Sequence, residues 1–344
     1  MAPTTEKTDV AIIGAGPVGL FAVFECGMLR MRCAVFDALD APGGQLTALY
    51  PEKPIYDIPG YPRIDAAVLV EKLAAQAAPF RPVYHLGRPV TTLAATGDGG
   101  FRLSTQAGTA VEARAVLIAA GVGAFGPNRP PLAGIDAYEG GAVRYLVTRR
   151  DDFRGKRVVI AGGGDSAVDW ALSLAEIAAR VMVVHRREKF RCAPESAARM
   201  KALAEAGRIE IVAPFQLDAL EGDGRTLAAV IVKSLDGAVR RLEADFLLPF
   251  FGLAMTLGPI ATWGLNLERN HIAVDPATCE TSIPGIHAAG DIVTYRGKLK
   301  LILCGFHEGA LAAQKIHRYV FPDKKLTFQY TTSSTSLQKK LGVA

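Results

Sequence analysis

The chain has 344 residues, half of them apolar, and a formal net charge of +5. That length exceeds what one hydrophobic core usually supports, so we expect two domains, and the composition excludes an intrinsically disordered chain. Because Lys and Arg residues are scattered along the whole sequence, we do not expect a nucleic-acid-binding protein.

The five cysteines include no CxxC pair. This disfavours structural disulfides and a metal site, and it indicates a reduced, cytoplasmic chain. The first nine residues lack the basic start of a signal peptide. Residues 246–265 carry no charge and imitate a membrane span, but Pro and Gly residues break them repeatedly. We interpret this stretch as a buried strand followed by an apolar loop, and we expect no membrane partner.

The first elements along the chain are a strand, a tight turn, a helix and a second strand. The run TDVAIIG leads into GAGPVG, apolar residues at helical spacing follow, and the strand RCAVFD ends at Asp37. Gly14, Gly16 and Gly19 fit the dinucleotide pattern GxGxxG. The N-terminus of the helix starting at Pro17 would hold a pyrophosphate. Asp37, about twenty residues further on, would accept a hydrogen bond from a ribose 2′-hydroxyl. The alternative is a simple strand-to-helix turn.

The middle of the first domain follows. The patterns predict a helix at residues 65–77, strands at residues 90–94 and 101–105 joined by the turn TGDGG, and a buried strand at residues 113–121. Residues 121–134 are dense in Gly and Pro and indicate a crossing between domains.

Beyond the crossing, the strand, turn, helix and strand pattern begins again. Gly162, Gly164 and Ala167 fit GxGxxA between the strand KRVVIA and a predicted helix that opens with Asp165 and Ser166. This motif predicts a second dinucleotide site.

The two sites differ at the end of their second strands. Where the first has Asp37, the second has His185, Arg186 and Arg187. A carboxylate would repel a 2′-phosphate, whereas guanidinium groups bind one through paired hydrogen bonds, so we predict NADP(H) at the second site. The alternative for the two arginines is a solvated, basic loop end.

The last elements return to the first domain. PGIHAAGD is predicted as a strand ending at Asp291, and a long helix follows at residues 300–320. The predicted fold is therefore α/β, with two Rossmann-like dinucleotide-binding domains of three-layer ββα architecture. The first domain is discontinuous, comprising residues 1–122 and 252–344, and the second comprises residues 123–251.

Two dinucleotide sites in one chain indicate electron transfer between two cofactors. A second nicotinamide would not be a useful electron acceptor for NADPH. A flavin, in contrast, accepts its hydride and releases electrons singly or in pairs. We therefore predict FAD in the first site. Hydride transfer needs positioning rather than a protein acid or base, so we predict no catalytic side chain and interpret His307 and Glu308 as structural.

The order of the motifs GAGPVG, GGQ, AAG, GGGDSA, HRR and PGIHAAGD resembles the two-domain flavoprotein disulfide reductases of the thioredoxin reductase type. The segments YPEKPIYDIPG, LPFFG, GKLKLILCGFHEGALAAQK and FQYTTSSTSLQKKLGV are similar, more narrowly, to bacterial ferredoxin:NADP reductases built on that scaffold. The resemblance runs end to end. It implies an enzyme that passes electrons between NADPH, FAD and ferredoxin or flavodoxin, in either direction.

Thioredoxin reductases carry a CxxC pair just before the second glycine motif, and here that region has no cysteine. Without a dithiol, the hydride cannot be relayed through thiolate attack on a disulfide, so electrons would leave from the flavin itself. Two other functions stay open: a reductase of small disulfides or quinones, and a flavin-binding redox sensor without turnover.

The resemblance also implies positions around the flavin. Gln45 and Tyr50 would lie along the isoalloxazine, with Tyr50 stacked on the ring. Asp291 would hydrogen-bond the ribityl chain, and its alternative is a helix N-cap. Val90 resembles a position whose backbone meets adenine, and Phe125 one near the flavin at the domain crossing. Both are equally compatible with core packing.

The tail after Pro322 has no counterpart in thioredoxin reductases. By resemblance it covers the flavin, with the ring of Tyr330 stacked on it and Thr331 and Thr332 beside it, and it reaches across a homodimer. A solvated, frayed terminus is the alternative. A set of basic residues either steers an acidic partner or forms a solvated face: Arg296, Lys298, Lys300, Lys339 and Lys340.

Overall fold

The computed structural model of the protein describes residues 6–326, 332 and 334–342. The chain divides into two compact units. Unit 1 comprises Met1–Phe125 and Met255–Ala344, and unit 2 comprises Gly126–Ala254. The chain thus crosses between the units at residues 125 and 255, where the sequence predicts crossings at residues 122 and 252.

The secondary structure elements are numbered along the chain. The strands are β1 (Glu6–Ile13), β2 (Cys33–Phe36), β3 (Pro54–Ile55), β4 (Ile64–Asp65), β5 (Val83–His85), β6 (Val90–Ala95), β7 (Phe101–Thr105), β8 (Ala110–Ile118), β9 (Ala124–Pro127), β10 (Arg157–Ala161), β11 (Arg180–Val184), β12 (Ile209–Val212), β13 (Gln216–Gly222), β14 (Leu227–Lys233), β15 (Val239–Glu243), β16 (Phe246–Pro249), β17 (Leu253–Thr256), β18 (Leu267–Glu268), β19 (His271–Ala273), β20 (Ile286–Ala288) and β21 (Val293–Thr294). The helices are α1 (Pro17–Met28), α2 (Gln45–Ala48), α3 (Ala66–Ala77), α4 (Asp165–Leu174), α5 (Pro194–Glu205), α6 (Ile302–Val320) and α7 (Thr335–Lys340).

Unit 1 is built on a mixed sheet with the strand order β5-β2-β1-β8-β7-β6. β5, β2, β1 and β8 are parallel, β7 pairs antiparallel with the first residues of β8, and β20 pairs parallel with its last residues. Successive side chains of β1 point to opposite faces. Val10 and Ile12 pack with residues of α1 and α6, whereas Ala11 and Ile13 pack with residues of β6 and β7. The predicted layers of helices, parallel sheet and antiparallel strands are confirmed.

The register brings the carboxyl ends of four strands to one edge of this sheet. Ile13 of β1 pairs with Phe36 of β2 and with Ile118 of β8, and Ile118 pairs in turn with Ala288 of β20. The residues that follow these strands therefore lie side by side. In doubly wound sheets, ligands bind at this edge.

Unit 2 repeats the plan. Its parallel sheet has the order β12-β11-β10-β16, and a separate antiparallel sheet has the order β13-β14-β15. Ala161 of β10 pairs with Val184 of β11 and with Pro249 of β16, so these strands also end at one edge. Trp170 and Leu174 bury the inner face of α4 against the sheet. The predicted repetition of a Rossmann-like unit is confirmed.

The uncharged stretch at residues 246–265 is shared by both units. Phe246–Pro249 form β16 in unit 2, and residues 258–262 form a 3₁₀ turn in unit 1, where Ile260 and Leu265 are buried. Across residues 6–326 and 334–342, no helix combines the length and the apolar character needed to cross a bilayer.

Candidate dinucleotide sites

The first glycine motif lies at the carboxyl edge of the unit 1 sheet, between β1 and α1. Gly14 has a φ of +111°, its N–H donates to the Phe36 carbonyl at 2.7 Å, and a Cβ there would lie 2.3 Å from the Ala119 carbonyl oxygen. A Cβ on Gly19 would lie 1.9 Å from the Gly14 carbonyl oxygen, so turn and helix pack this closely only with glycine at both positions. A Cβ on Gly16, in contrast, would have no atom of the described residues within 4 Å.

The open space beside Gly16 meets the start of α1. Gly16 is the N-cap of this helix, Pro17 is its first residue, and no side chain in the described part of the chain caps it. Its first N–H groups therefore keep their capacity to bind an anion, which the helix dipole also favours.

Asp37 follows β2, and its carboxylate reaches back to the glycine turn. Oδ2 accepts the Ala15 N–H at 2.6 Å, and Oδ1 accepts the Leu39 N–H at 2.8 Å. Burial raises the pKa of this carboxyl, and hydrogen bonds from backbone N–H groups, that of Leu39 first, oppose the shift. A carboxylate offers about four lone-pair sites, so Asp37 keeps acceptor capacity for a ligand.

A cavity of about 490 Å³ opens beside the motif in unit 1. This volume falls in the range of ligand and cofactor sites. The cavity brings together most residues predicted for the first dinucleotide: Gly14, Gly16, Pro17, Asp37, Gln45, Tyr50, Val90 and Asp291. Val90 is also 6% exposed, so it belongs both to the core and to the cavity wall.

Gln45, Tyr50 and Asp291 contribute polar groups to the cavity. Nε2 of Gln45 would lie 3.3 Å from a Cβ on Gly121, another cavity residue. Burial raises the pKa of the Tyr50 hydroxyl, and the negative charge of Asp291 adds to the shift, so Tyr50 stays a neutral donor. Asp291 lies in a 3₁₀ turn after β20, and the N-cap of α6 is Leu301. The helix N-cap alternative for Asp291 is therefore wrong.

Sequence reasoning missed the part of the cavity wall that follows β17. Pro259, Ile260 and Trp263 line the cavity. The indole Nε1 of Trp263 is buried and has no hydrogen-bond partner among the described residues. A buried donor is costly unless something accepts from it, so this N–H suits a ligand with acceptor atoms. In the sequence, the only signal for this wall is the uncharged stretch at residues 246–265. That stretch does not reveal which of its residues belong to unit 1 and which to unit 2.

Several predicted positions are not part of the cavity. Tyr330, Thr331 and the side chain of Phe125 lie outside the described residues. Thr332 is exposed, and its carbonyl accepts from Nε2 of Gln338 at 3.0 Å. Gly19 packs behind the turn rather than lining the cavity.

One basic residue considered for steering a partner is not on the surface. The side chain of Lys298 is only 6% exposed and forms an ion pair with Glu308. The expectation of a surface role for Lys298 is therefore wrong, whereas Lys300 is exposed. In the described residues no cluster of three potential metal ligands occurs.

The second glycine motif repeats the geometry of the first in unit 2. Gly162 has a φ of +154°, and a Cβ there would lie 2.6 Å from the Phe250 carbonyl oxygen and 3.0 Å from Cβ of Ala167. A Cβ on Gly164 would have no atom within 4 Å among the residues that the structure describes. Gly164 is the N-cap of α4, which starts at Asp165 without a side-chain cap. The helix start is again open to an anion.

The side chains at the start of α4 have different surroundings. Oδ1 of Asp165 accepts the Ala193 N–H at 2.8 Å, which fixes the loop after β11 to the helix. Ser166 is exposed and Ala167 is buried against the turn. Ser166 is therefore the free hydroxyl at this helix start.

His185 follows β11 and packs on the glycine turn. The residue is 8% exposed, and a Cβ on Gly163 would lie 2.3 Å from its ring. Burial lowers the pKa of the imidazole, and the guanidinium groups of Arg191, Arg186 and Arg187 lower it further, so the ring is neutral near pH 7. The requirement for this ring contact explains why glycine occupies position 163.

Three guanidinium groups surround this turn. Arg186 and Arg187 are exposed, and within the described residues their side chains make no hydrogen bond or ion pair. Sequence reasoning missed Arg191, whose N–H donates to the Gly163 carbonyl at 2.6 Å and whose side chain is exposed in the same way. Its basic character was visible, but the hydrogen bond that brings it back to the turn was not.

The fold and the two sites define a class of protein. Residues 8–309 match the family described as pyridine nucleotide-disulphide oxidoreductase. The structure is similar to T. acidophilum thioredoxin reductase, with a TM-score of 0.79 and 27% identity over 91% of this chain and 98% of that chain. It is also similar to Lactococcus lactis thioredoxin reductase, with a TM-score of 0.79 and 26% identity over 92% of this chain and 99% of that chain. The chain belongs to the pyridine nucleotide-disulphide oxidoreductase family and is an oxidoreductase.

Sequence comparison gives a narrower assignment. A ferredoxin–NADP reductase of Paramagnetospirillum magneticum is 62% identical over 329 residues, which cover 96% of this chain and 98% of that protein. A ferredoxin–NADP reductase of Rhodospirillum rubrum is 58% identical over 334 residues, which cover 96% and 97%. Within the family, the chain groups with the ferredoxin–NADP reductases, and the resemblance stated from its motifs is confirmed.

Proposed function

We propose that the protein is an FAD-dependent ferredoxin–NADP reductase, with FAD in unit 1 and NADP(H) in unit 2. The unit 1 cavity carries the proposal, because it joins the open glycine turn, the uncapped start of α1 and Asp37. The helix start suits the pyrophosphate, and Asp37 suits the ribose hydroxyls. The indole N–H of Trp263, which has no hydrogen-bond partner among the described residues, supplies a further donor. The bound flavin would accept a hydride from NADPH and release electrons one at a time.

At the other end of the dinucleotide, Tyr50 and Asp291 would orient the flavin. Both line the cavity, and the charge of Asp291 acts on the hydroxyl of Tyr50. Tyr50 would present its ring to the isoalloxazine, and Asp291 would accept from ribityl hydroxyl groups. Gln45 offers an amide that both donates and accepts.

In unit 2 the open turn at Gly164 and the start of α4 would hold the pyrophosphate of NADP(H). Arg186, Arg187 and Arg191 would bind the 2′-phosphate through charge-assisted hydrogen bonds. Their exposure and lack of protein partners in the described residues support this role. A dinucleotide without that phosphate gains nothing from these groups, so the site would select NADP(H) over NAD(H).

The arrangement of thiols supports a single-electron acceptor rather than a disulfide. No cysteine occurs among the described residues that line the unit 1 cavity, and Cys26 and Cys33 are buried in the unit 1 core. The partner in this proposal is a ferredoxin, as the names of the relatives suggest. Flavodoxin as an alternative partner rests on the family resemblance. A cytoplasmic location is inferred from the reduced thiols. A homodimer with Tyr330, Thr331 and Thr332 over the flavin rests on the family resemblance.

Absorbance and turnover measurements test the proposal. The purified protein should show a flavin spectrum that NADPH bleaches, and NADPH-driven cytochrome c reduction should depend on added ferredoxin. A colourless protein that takes up no FAD would refute the cofactor assignment. Reduction of quinones or small disulfides at rates independent of ferredoxin would favour the alternative reductase. Bleaching without any turnover would favour a redox sensor.

A further inference from the structure

A buried carboxylate lies directly behind the turn that carries Asp291. Glu308 on α6 is 1% exposed. Its Oε2 accepts the Gly290 N–H at 2.7 Å, and its Oε1 accepts from the Tyr295 hydroxyl at 2.7 Å and from the Lys298 ammonium group. A charge this deeply buried is tolerated only when it is paired and hydrogen-bonded. Its three hydrogen-bond partners in the described part of the chain all come from residues 290–298, the segment that joins β20 to α6.

The turn at Gly290 is closely packed on both sides. Gly290 has a φ of +85°, and a Cβ there would lie 3.3 Å from Val18 of α1. A Cβ on Gly305 of α6 would lie 2.4 Å from Val18 and 3.3 Å from Cα of Gly290. The turn is therefore held between the helix of the first glycine motif and α6. The Glu308 carboxylate is the polar anchor of this arrangement.

Gly290 and Asp291 line the cavity, whereas Glu308, Tyr295 and Lys298 do not. The carboxylate of Glu308 therefore acts on the cavity only through the backbone that it holds. We propose that Glu308 is a positioning residue for the flavin: its hydrogen bond to the Gly290 N–H fixes the orientation of Asp291 in the cavity. Lys298 is the counter-charge that allows the carboxylate to be buried there. This inference rests on the proposed binding of FAD in unit 1.

A second cluster of similar composition provides a control, with Arg318 in place of the lysine and with Nε2 of His287 4.0 Å from the carboxylate. Glu280 accepts the Gly285 N–H at 3.1 Å, accepts from the Tyr319 hydroxyl, and pairs with Arg318 at 2.9 Å. None of these four described residues lines the cavity. A glycine amide, a tyrosine hydroxyl and a cation thus surround both carboxylates, and only one of the two clusters adjoins the proposed flavin site.

Two double variants separate the hydrogen bond from the charge. Lys298→Met with Glu308→Gln removes the ion pair but keeps an acceptor for the Gly290 N–H. Lys298→Met with Glu308→Met is nearly isosteric with the first and lacks the acceptor. The control variants are Arg318→Met combined with Glu280→Gln or with Glu280→Met.

Titration of each apoprotein with FAD, followed by flavin fluorescence, gives the dissociation constant, and thermal unfolding of the apoprotein gives the stability. We expect the Glu308→Gln double variant to bind within about threefold of wild type, and the Glu308→Met double variant to bind about tenfold more weakly or worse, because the N–H of Gly290 loses its acceptor. The two control variants should bind FAD with equal affinity. Equal affinities of the Gln and Met variants at position 308, or an equal difference in the control pair, would overturn the positioning role.

A measurement on the wild-type apoprotein covers the case in which the Glu308→Met variant does not fold. The Gly290 N–H should be protected from hydrogen exchange, and rapid exchange of this amide would overturn the inference. A wild-type apoprotein that binds no FAD overturns the proposed function. FAD binding with equal affinities of the two position-308 variants overturns the positioning role alone.

Discussion

Oδ2 of Asp37 accepts the N–H of Ala15 at 2.6 Å, so the end of β2 is tied to the glycine turn 22 residues earlier in the chain. Oδ1 of the same carboxylate accepts the Leu39 N–H. A residue that the sequence predicts as a ribose acceptor thus also shapes the turn that would hold the pyrophosphate. Binding and local structure are coupled at this carboxylate.

This coupling predicts how FAD binding responds to pH. Burial raises the pKa of Asp37, so its protonation begins at a higher pH than that of an exposed aspartate. The protonated carboxyl accepts fewer hydrogen bonds, and FAD affinity should therefore fall as pH falls through this raised pKa. Asp37→Asn should bind FAD about tenfold more weakly at neutral pH, because one backbone N–H then faces an amide NH₂. Titrations of the apoprotein with FAD across pH measure both effects, and an identical pH profile in the variant would contradict the assignment.

The second and third glycines of the first motif should respond differently to substitution by alanine. A Cβ at Gly19 would meet the Gly14 carbonyl oxygen at 1.9 Å, so Gly19→Ala should lower the free energy of unfolding by about 1–3 kcal/mol or more. A Cβ at Gly16 meets only open space, so Gly16→Ala should leave the apoprotein stable and weaken FAD binding instead. Urea unfolding of both apoproteins checks the contrast. Equal losses of stability would show that the space beside Gly16 is not reserved for a ligand.

The three arginines of unit 2 should distinguish NADPH from NADH. Arg186→Gln, Arg187→Gln and Arg191→Gln should each raise the KM for NADPH about tenfold or more, because each removes a charged hydrogen-bond donor to the 2′-phosphate. The KM for NADH should hardly change. Arg199 on α5 is also exposed, and Arg199→Gln is the matched control for loss of charge. Steady-state kinetics with both nucleotides provide the comparison, and parallel increases for NADPH and NADH would argue against a 2′-phosphate site.

The sequence predicts the residues of the first dinucleotide site wherever the local pattern of strands and turns determines their position in the fold. Gly14, Gly16 and Asp37 follow apolar strands, and parallel strands end at a common edge, so their proximity follows from the pattern alone. The start of α6 is predicted two residues too early, because Lys300 and Leu301 have helical composition but remain outside the helix.

Contacts between segments that are distant in the sequence cannot be predicted from local sequence patterns. Trp263 reaches the cavity because the chain returns to unit 1 before the 3₁₀ turn, and no local pattern records that return. Glu308 has the spacing of an ordinary helical residue, and only the packing of α6 against the Gly290 turn makes it a buried anchor. The sequence predicts Lys298 as a surface charge because its ion pair with Glu308 depends on the same tertiary packing.

A buried histidine predicts a specific pH dependence of stability. His287 is fully buried, neither ring nitrogen has a hydrogen-bond partner among the described residues, and burial lowers its pKa to about 4, against the opposing charge of Glu280. Below about pH 6.5 the unfolded chain binds a proton that the folded chain does not, so the free energy of unfolding should fall by about 3 kcal/mol between pH 6.5 and 4. Urea unfolding of wild type and His287→Leu isolates this contribution, since other titrating groups are common to both. Parallel pH profiles of the two proteins would contradict the shifted pKa.

Ferredoxin reduction should not depend on any cysteine of the chain. Cys26, Cys33 and Cys279 are buried, while Cys192 and Cys304 are partly exposed. The hydrogen bond with Cys33 and burial raise the pKa of Cys26, and burial raises that of Cys279 to about 12, so neither supplies the thiolate that disulfide exchange requires. The double variant Cys192→Ser, Cys304→Ser should reduce ferredoxin within about twofold of the wild-type rate, as expected for substitutions outside the electron path, and should resist alkylation by N-ethylmaleimide. A small-disulfide reductase activity that disappears in this variant would instead identify a thiol relay, because no other partly exposed cysteine occurs in the described part of the chain.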